Sequence, residues 1–159
     1  MTKKKNAIKR EGLISHSKDK ENTTLLFLDD YRMPIDCAKY MYRKGVDCTI
    51  YHKQWFIVRS YYAFVRYITK NGLPQFISFD HDLADEFRDT IYENHCFNQE
   101  NKKEYTGMDC AKWLVNYCTN HNKPLPEYAV HSANPVGAEN IDGLLKSYNN
   151  MLNNKIKET

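Results

Sequence analysis

The sequence predicts a three-layer α/β sandwich, in which a parallel sheet has helices on both faces. Apolar runs that are too short for helices alternate with segments whose apolar residues recur at helical spacing. The runs are also nearly continuous in apolar residues, as strands buried on both faces are. Such alternation favours parallel pairing through right-handed crossovers. The predicted strands are residues 25–28, 55–58, 75–80 and 127–131.

The sequence defines the first strand more clearly than the connector that follows it, residues 35–54. Residues 25–28 form a four-residue apolar run that Asp29 and Asp30 bring to an end. The connector combines a predicted helix over 35–44 with a segment, 46–51, whose β-branched and aromatic content is typical of a strand.

The later elements have clearer boundaries. Ser60 is a typical N-cap for the helix behind the second strand, and Gly72 ends that helix. Residues 84–105 are polar and aperiodic, so we expect a long loop that serves as a lid or a recognition element. A helix follows Gly107, and Pro135 suits the first turn of the last helix.

Length and charge indicate one domain with a basic leader. The chain has 159 residues, of which 42% are hydrophobic, and this is enough for a single core. Residues 1–20 hold seven Lys or Arg against two acids, although the net charge of the whole chain is only +3. We assign 1–22 to a flexible leader and 23–159 to the domain. A solvated leader is the common interpretation of such charge, and contact with nucleic acid is the alternative.

Several observations indicate the cellular setting. No apolar run approaches the roughly 20 residues needed to span a bilayer, and the amino terminus lacks the apolar core of a signal peptide. The five cysteines include no Cys-x-x-Cys pair, which argues against a disulfide framework or a zinc knuckle. We therefore expect a soluble, cytoplasmic protein without a membrane partner.

Polar groups cluster where three of the predicted strands end. In an open parallel sheet, ligands bind beyond the carboxyl ends of the strands. Each residue alone also has a structural interpretation, as a helix cap, a turn or a buried histidine, but three clusters at one edge favour a functional site. The clusters are Asp29-Asp30, Asp80-His81-Asp82 and His131-Ser132.

The acidic residues predict a cation site. If the first and third strands are neighbours, Asp29, Asp30 and Asp80 approach closely, and like charges at that range need a cation or a shared proton. Oxygen ligands favour Mg²⁺ or Mn²⁺. Asp82 is a further catalytic candidate, as a metal ligand or as a group that orients a histidine.

The histidines predict acid and base chemistry. His81 and His131 follow neighbouring strands in this arrangement, so one imidazole can remove a proton while the other donates one. Such a pair suits the cleavage of a phosphodiester. Phosphate oxygens would be held by paired donors of arginine and by polar groups at the start of the last helix. These substrate-binding candidates are Arg32, Arg59, Ser132 and Asn134.

Five motifs together resemble the cyclic-phosphate-processing receiver-like family, a divergent branch of the receiver domains of response regulators. They occur in the order of that family and extend over roughly residues 25–145. The motifs are Leu28-Asp29-Asp30-x-Arg32-x-Pro34, Trp55-x-x-Val58-Arg59-Ser60, Ser78-Phe79-Asp80-His81-Asp82-Leu83, Thr106-Gly107-x-Asp109-x-Ala111-x-Trp113-Leu114 and His131-Ser132-Ala133-Asn134-Pro135-x-Gly137-x-x-Asn140-Ile141.

The resemblance implies both a fold and an activity. The fold would be receiver-like or flavodoxin-like, with about four core strands in the order 2-1-3-4. Receivers bind Mg²⁺ and accept a phosphoryl group at positions that match Asp29, Asp30 and Asp80. The family is associated with cyclic phosphates, in nucleotide or RNA-end processing and in conflicts between bacteria and phages. We therefore predict a hydrolase, a phosphodiesterase for a nucleotide or RNA end with a 2′,3′-cyclic phosphate or for a cyclic nucleotide signal.

Departures from ordinary receivers shape the alternatives. We find no fifth strand and no suitable lysine after His131. The signalling cycle of receivers also has no counterpart of His81 and His131. Signalling through a phosphoaspartate is therefore disfavoured. One remaining alternative is a module that sequesters a cyclic nucleotide or phosphate without cleaving it. Another is an aspartyl-phosphate phosphatase with Asp80 as nucleophile and Asp82 as acid.

Overall fold

The computed structural model describes residues 24–83 and 104–157. The predicted leader and residues 84–103 of the predicted loop lie outside the described residues. The strands are β1 (Leu25–Leu28), β2 (Phe56–Val58), β3 (Phe76–Phe79) and β4 (Glu127–Val130). The helices are α1 (Pro34–Arg43), α2 (Tyr61–Asn71), α3 (Gly107–Asn120) and α4 (Pro135–Lys157), with a 3₁₀ helix (Cys48–His52) between α1 and β2. None of the described helices is both long and apolar enough to cross a membrane.

The four strands form one parallel sheet in the order β2-β1-β3-β4. Both the predicted fold class and the predicted strand order are confirmed. In the register of the sheet, Leu28 pairs with Val58 and with Phe79, and Phe79 pairs with Val130. The strands therefore end level with one another, so the residues that follow them start from the same edge.

Apolar side chains on both faces of the sheet form two cores, because successive strand residues point to opposite faces. Leu26 and Leu28 pack with α2, α3 and α4 on one face. Leu25 and Phe27 pack with α1 and the 3₁₀ helix on the other. The three layers of the predicted sandwich follow directly from this arrangement.

The segment 46–51, whose composition is typical of a strand, is not a strand in the structure. The side chain of Asp47 accepts a hydrogen bond from the backbone N–H of Thr49 at 2.9 Å and begins the 3₁₀ helix instead. The aromatic residue of this segment packs in the core: Tyr51 is buried and stacks on Trp55 with ring centroids 5.5 Å apart. The local turn and the burial of an aromatic ring thus outweigh strand propensity here.

Helix α2 has the predicted boundaries. The Ser60 hydroxyl accepts a hydrogen bond from the backbone N–H of Ala63 at 3.2 Å, which satisfies one free donor of the first turn. At the other end, Gly72 adopts a φ of 84°, a conformation that glycine adopts at little cost. The buried residues Phe64 and Ile68 place α2 on the face of the sheet opposite α1.

Candidate functional site

Backbone hydrogen bonds between the strand ends assemble the candidate site. The N–H of Asp80 donates to the Leu28 carbonyl at 2.8 Å, and the N–H of His131 donates to the Phe79 carbonyl at 2.8 Å. The N–H of Asp29 donates to the Val58 carbonyl at 3.2 Å. The residue after each of β1, β3 and β4 is therefore fixed at the carboxyl edge of the sheet.

Asp29 is a fully buried carboxylate with donors on both oxygens. Oδ1 accepts the backbone N–H groups of Tyr31 and Arg32. Oδ2 accepts from Nε of Arg32 at 2.7 Å and from Nε2 of His131 at 3.1 Å. Burial alone would raise the pKa of Asp29, but the hydrogen bonds from His131, Tyr31 and Arg32 hold it well below its usual 3.8. Asp29 is therefore ionised at neutral pH.

Arg32 joins the carboxylates of two strand ends. Its Nη2 lies 2.8 Å from Oδ2 of Asp80, while its Nε binds Asp29. Burial disfavours the charged guanidinium, but Asp80 and Asp29 more than offset this and raise the pKa of Arg32 above its ordinary value. The side chain remains 29% exposed. Arg32 is thus a fixed positive charge that can also face a bound ligand.

The same carboxylates form the metal candidate. Asp29, Asp30 and Asp80 each offer an oxygen, and these atoms lie within 4.8 Å of one another. This donor set fits a hard divalent cation such as Mg²⁺ or Mn²⁺. Since two of the three carboxylates also bind Arg32, the guanidinium and a cation would share their oxygen atoms. The sequence predicts that a cation compensates the negative charge of these carboxylates. In the structure, Arg32 compensates the charge of Asp29 and Asp80.

A second group of candidate ligands lies deeper in the protein. Asp29, Cys37 and His131 also offer atoms within 4.8 Å of one another, and all three residues are buried. Burial raises the pKa of the Cys37 thiol to about 11. Because metals bind the thiolate, this group suits a cation less well than the three carboxylates do.

His131 is enclosed on every side. Its ring is fully buried and stacks on Phe27 with centroids 4.4 Å apart and planes 8° from parallel. One ring nitrogen contacts Asp29, and Nδ1 lies 2.7 Å from the hydroxyl of Ser78. Burial lowers the pKa of His131, although Asp29 and Asp80 act in the opposite direction. The ring is therefore neutral at pH 7, with both nitrogens occupied.

His81 lies nearer the surface and pairs with an acid. Its Nδ1 lies 2.7 Å from Oδ1 of Asp82, and the two side chains are 18% and 67% exposed. The hydrogen bond with His81 lowers the pKa of Asp82. Nδ2 of Asn134 donates to the same Asp82 oxygen at 3.3 Å. An imidazole that is oriented through Nδ1 has Nε2 available for proton transfer.

Two glycines make this arrangement possible. A Cβ on Gly107 would lie 1.7 Å from the Asp80 carbonyl oxygen, and a Cβ on Gly137 would lie 2.3 Å from Cγ of the His81 ring. The N–H of Gly107 also donates to the His81 carbonyl at 2.7 Å. Helices α3 and α4 thus begin directly against the segment that carries Asp80 and His81.

The other predicted phosphate ligands make contacts within the protein. Nη1 of Arg59 donates to the carbonyls of Asp29 and Arg32, at 2.8 and 2.6 Å. The buried Ser132 hydroxyl accepts the backbone N–H of Asn134 at 3.2 Å. The Asn134 side chain accepts the N–H of Gly137 at 3.0 Å and so caps α4. These residues hold the β1–α1 and β4–α4 connections in place around Arg32 and His81.

Two residues at the site have no counterpart in the sequence prediction. The Ser78 hydroxyl lies 2.7 Å from Nδ1 of His131 and 2.8 Å from the Tyr51 hydroxyl. A signal for Ser78 was present, because a serine within the apolar run 76–79 must find a buried partner. Tyr51 had no comparable signal, since its segment has the composition of a strand.

Comparisons with known proteins agree with the motifs. A family model described as "Cyclic-phosphate processing Receiver domain" matches residues 24–147. No curated protein matches the chain significantly. One matching solved structure is titled as yeast Spc42 trimeric coiled-coil amino acids 181–211 fused to a further segment. The two chains are 11% identical over 87% of each, with a TM-score of 0.42, and a likeness at this level carries no argument.

Proposed function

Because the chain belongs to the cyclic-phosphate processing receiver domain family, we propose that it is a phosphoesterase that hydrolyses a cyclic phosphate. The substrate class would be a 2′,3′-cyclic phosphate on a nucleotide or RNA end, or a cyclic nucleotide. One observation supports catalysis most strongly: the half-exposed segment after Asp80 carries an imidazole, His81, that is oriented by a carboxylate, Asp82. Asp80 in turn holds the guanidinium of Arg32.

In the proposed reaction, water adds to phosphorus and one P–O ester bond of the ring breaks. Nε2 of His81 removes a proton from the water, while Asp82 stabilises the imidazolium that forms. The departing oxygen takes up a proton from the imidazolium or from solvent. The product is a phosphomonoester with a free hydroxyl group, so atoms and charge balance without a further reactant.

Arg32 would stabilise charge on the phosphoryl oxygens. The two carboxylates fix its guanidinium before substrate binds, and preorganised charge of this kind stabilises a transition state without reorganisation. The exposed part of the side chain remains for the substrate. Arg59 would contribute indirectly, because it binds the backbone of the loop that carries Arg32.

We assign the two histidines different roles. The sequence alone predicts that His81 and His131 share the acid and base steps. The complete burial of His131, with a partner on each nitrogen, instead favours a role in holding Asp29. Proton transfer to and from the substrate then falls to His81.

The metal remains part of the proposal. Asp29, Asp30 and Asp80 would hold Mg²⁺ or Mn²⁺, which when bound would polarise phosphoryl oxygens and acidify a coordinated water. Arg32 and the cation would then draw on the same two carboxylates, Asp29 and Asp80. The requirement for metal can be tested directly with a chelator.

A substrate panel tests the proposed function. The full chain is incubated with 2′,3′-cyclic mononucleotides, 3′,5′-cyclic mononucleotides, cyclic dinucleotides and an RNA ending in a 2′,3′-cyclic phosphate, each with Mg²⁺, with Mn²⁺ or with EDTA. We expect ring opening of at least one class to a phosphomonoester, and loss of this product in His81→Ala. Tight binding with the ligand recovered unchanged would instead support the sequestering module. A phosphoryl adduct on Asp80 would support the aspartyl-phosphate alternative.

A further inference from the structure

A chain of hydrogen bonds runs from Asp29 into the core of the protein. It passes from Oδ2 of Asp29 to Nε2 of His131 at 3.1 Å, and from Nδ1 of His131 to the Ser78 hydroxyl at 2.7 Å. It ends at the Tyr51 hydroxyl, 2.8 Å from that of Ser78. All four residues are 0 to 1% exposed. These hydrogen bonds thus link the 3₁₀ helix to a carboxylate of the candidate site.

The chemistry of these groups sets the direction of each hydrogen bond. The Asp29 carboxylate only accepts, so Nε2 of His131 carries a proton and donates. If Nδ1 also carried a proton, it would donate to Ser78, and the single hydrogen bond between Ser78 and Tyr51 would leave one of the two hydroxyl protons without an acceptor among the described residues. No other acceptor for the Tyr51 hydroxyl is present among the described residues. If Nδ1 carries no proton, Tyr51 donates to Ser78, Ser78 donates to Nδ1, and every proton has an acceptor.

Packing restrains the two rings in this series of hydrogen bonds, those of His131 and Tyr51. The His131 ring stacks on Phe27 at 4.4 Å, and the Tyr51 ring stacks on Trp55 at 5.5 Å. Nε1 of Trp55 donates to the Ile50 carbonyl at 3.0 Å and holds the 3₁₀ helix against the indole. Linked hydrogen bonds in a dry interior also strengthen one another. The arrangement resembles the outer partners that orient ligating or catalytic groups in enzymes.

We propose that Tyr51 and Ser78 are positioning residues that fix the His131 ring and, through it, the orientation of the Asp29 carboxylate at the catalytic centre. This inference rests on the proposed function. It assigns a purpose to the connector between α1 and β2, which otherwise carries no residue of the site. Asp29 requires such support because its Oδ2 also binds Arg32, so a rotation of the carboxylate would move the guanidinium.

Tyr51→Phe tests the proposal, because it removes one hydroxyl and keeps the ring in its stack. We expect kcat to fall roughly tenfold, with KM within about twofold of the wild type. Ser78→Ala, which removes the donor to His131 itself, should lower kcat by about tenfold to a hundredfold. In ¹⁵N NMR of histidine-labelled protein, Nδ1 of His131 should give the signal of a hydrogen-bonded, unprotonated nitrogen, and this signal should move in both variants.

Tyr148→Phe is the matched control. Tyr148 is also a buried tyrosine, and its hydroxyl donates to the Lys123 carbonyl at 3.1 Å, away from the site. The proposal is overturned if the Nδ1 signal in Tyr51→Phe matches that in Tyr148→Phe. It is equally overturned if the signal moves while kcat remains at the wild-type value. If the wild type opens no cyclic phosphate, the proposed function fails, whereas the NMR comparison still decides whether the hydrogen-bonded chain orders His131.

Discussion

The imidazole of His81 packs against the first turn of α4 at Gly137, where a Cβ would lie 2.3 Å from Cγ and 2.5 Å from Cδ2 of the ring. Real Cβ atoms do not approach so closely. The absence of a side chain at position 137 therefore permits the position in which His81 binds Asp82. Gly137 thus matters to the site because it leaves room for the His81 ring, and not because it gives the backbone a special conformation.

Gly137→Ala should separate activity from stability. The new methyl group displaces the His81 ring, and misplacement of a catalytic group by about 1 Å costs roughly a hundredfold in rate. Alanine is favoured over glycine within helices by about 1 kcal/mol, and this gain offsets part of the stability lost when the ring is displaced. Steady-state kinetics and urea unfolding measure the two effects. Gly143→Ala, where a Cβ would meet nothing within 4 Å, should keep full activity. A fully active Gly137→Ala would contradict the assigned position of His81.

Arg32→Ala should reveal whether Arg32 and a divalent cation compete for the same carboxylates. Without the guanidinium, Asp29 and Asp80 lose their salt bridges. Removal of one partner of a fully buried pair typically costs about 3–5 kcal/mol, and the partly exposed Arg32 should cost less. We expect Mg²⁺ or Mn²⁺ to raise the melting temperature of Arg32→Ala more than that of the wild type. Lys146→Ala, which breaks only an exposed pair with Asp142, should cost at most about 1 kcal/mol. Equal metal responses in Arg32→Ala and the wild type would argue against a shared site.

The buried histidine should make stability depend on pH. Burial lowers the pKa of His131 below its usual 6.5, so between the folded pKa and 6.5 the unfolded chain binds a proton that the folded chain does not. The free energy of unfolding then falls as the pH is lowered below about 6.5, by at most about 1.4 kcal/mol per pH unit for this proton. Asp29, whose pKa is lowered from 3.8, adds a further loss only below about pH 4.

Urea unfolding between pH 5 and pH 8 measures this dependence. His131→Gln should show a shallower slope just below about pH 6.5 than the wild type, even if the variant is less stable throughout. Parallel curves for the wild type and His131→Gln would contradict a neutral, buried His131.

The fold could be predicted from the sequence because local and long-range patterns agree. The four apolar runs became strands within two residues of their predicted ends, and the Ser60 and Gly72 caps bound α2 as expected. The structure of residues 46–51 could not be predicted from their strand-like composition, because β-propensity reflects packing on a pleated surface more than an intrinsic preference of the backbone. In this protein, Tyr51 lies in a 3₁₀ helix and packs into the core from there.

The site could be predicted only as a set of residues at one edge. The spacing of polar groups after strands was sufficient to bring Asp29, Asp80 and His131 together. It did not disclose that Arg32 turns inward to the carboxylates, or that both nitrogens of His131 are occupied by buried partners. Those features depend on side-chain rotamers and on contacts across the sheet, which sequence spacing does not specify.

Chemical rescue of His81→Ala tests the central claim most directly. Hydrolysis of a 2′,3′-cyclic nucleotide is followed under single-turnover conditions, with and without added imidazole. The proposed function predicts a loss of roughly a hundredfold to ten-thousandfold in rate, and a recovery that grows with imidazole concentration, because free imidazole replaces the missing proton acceptor. A wild-type rate in His81→Ala, or a loss that imidazole does not relieve, would contradict the assignment of His81 as the proton-transfer group.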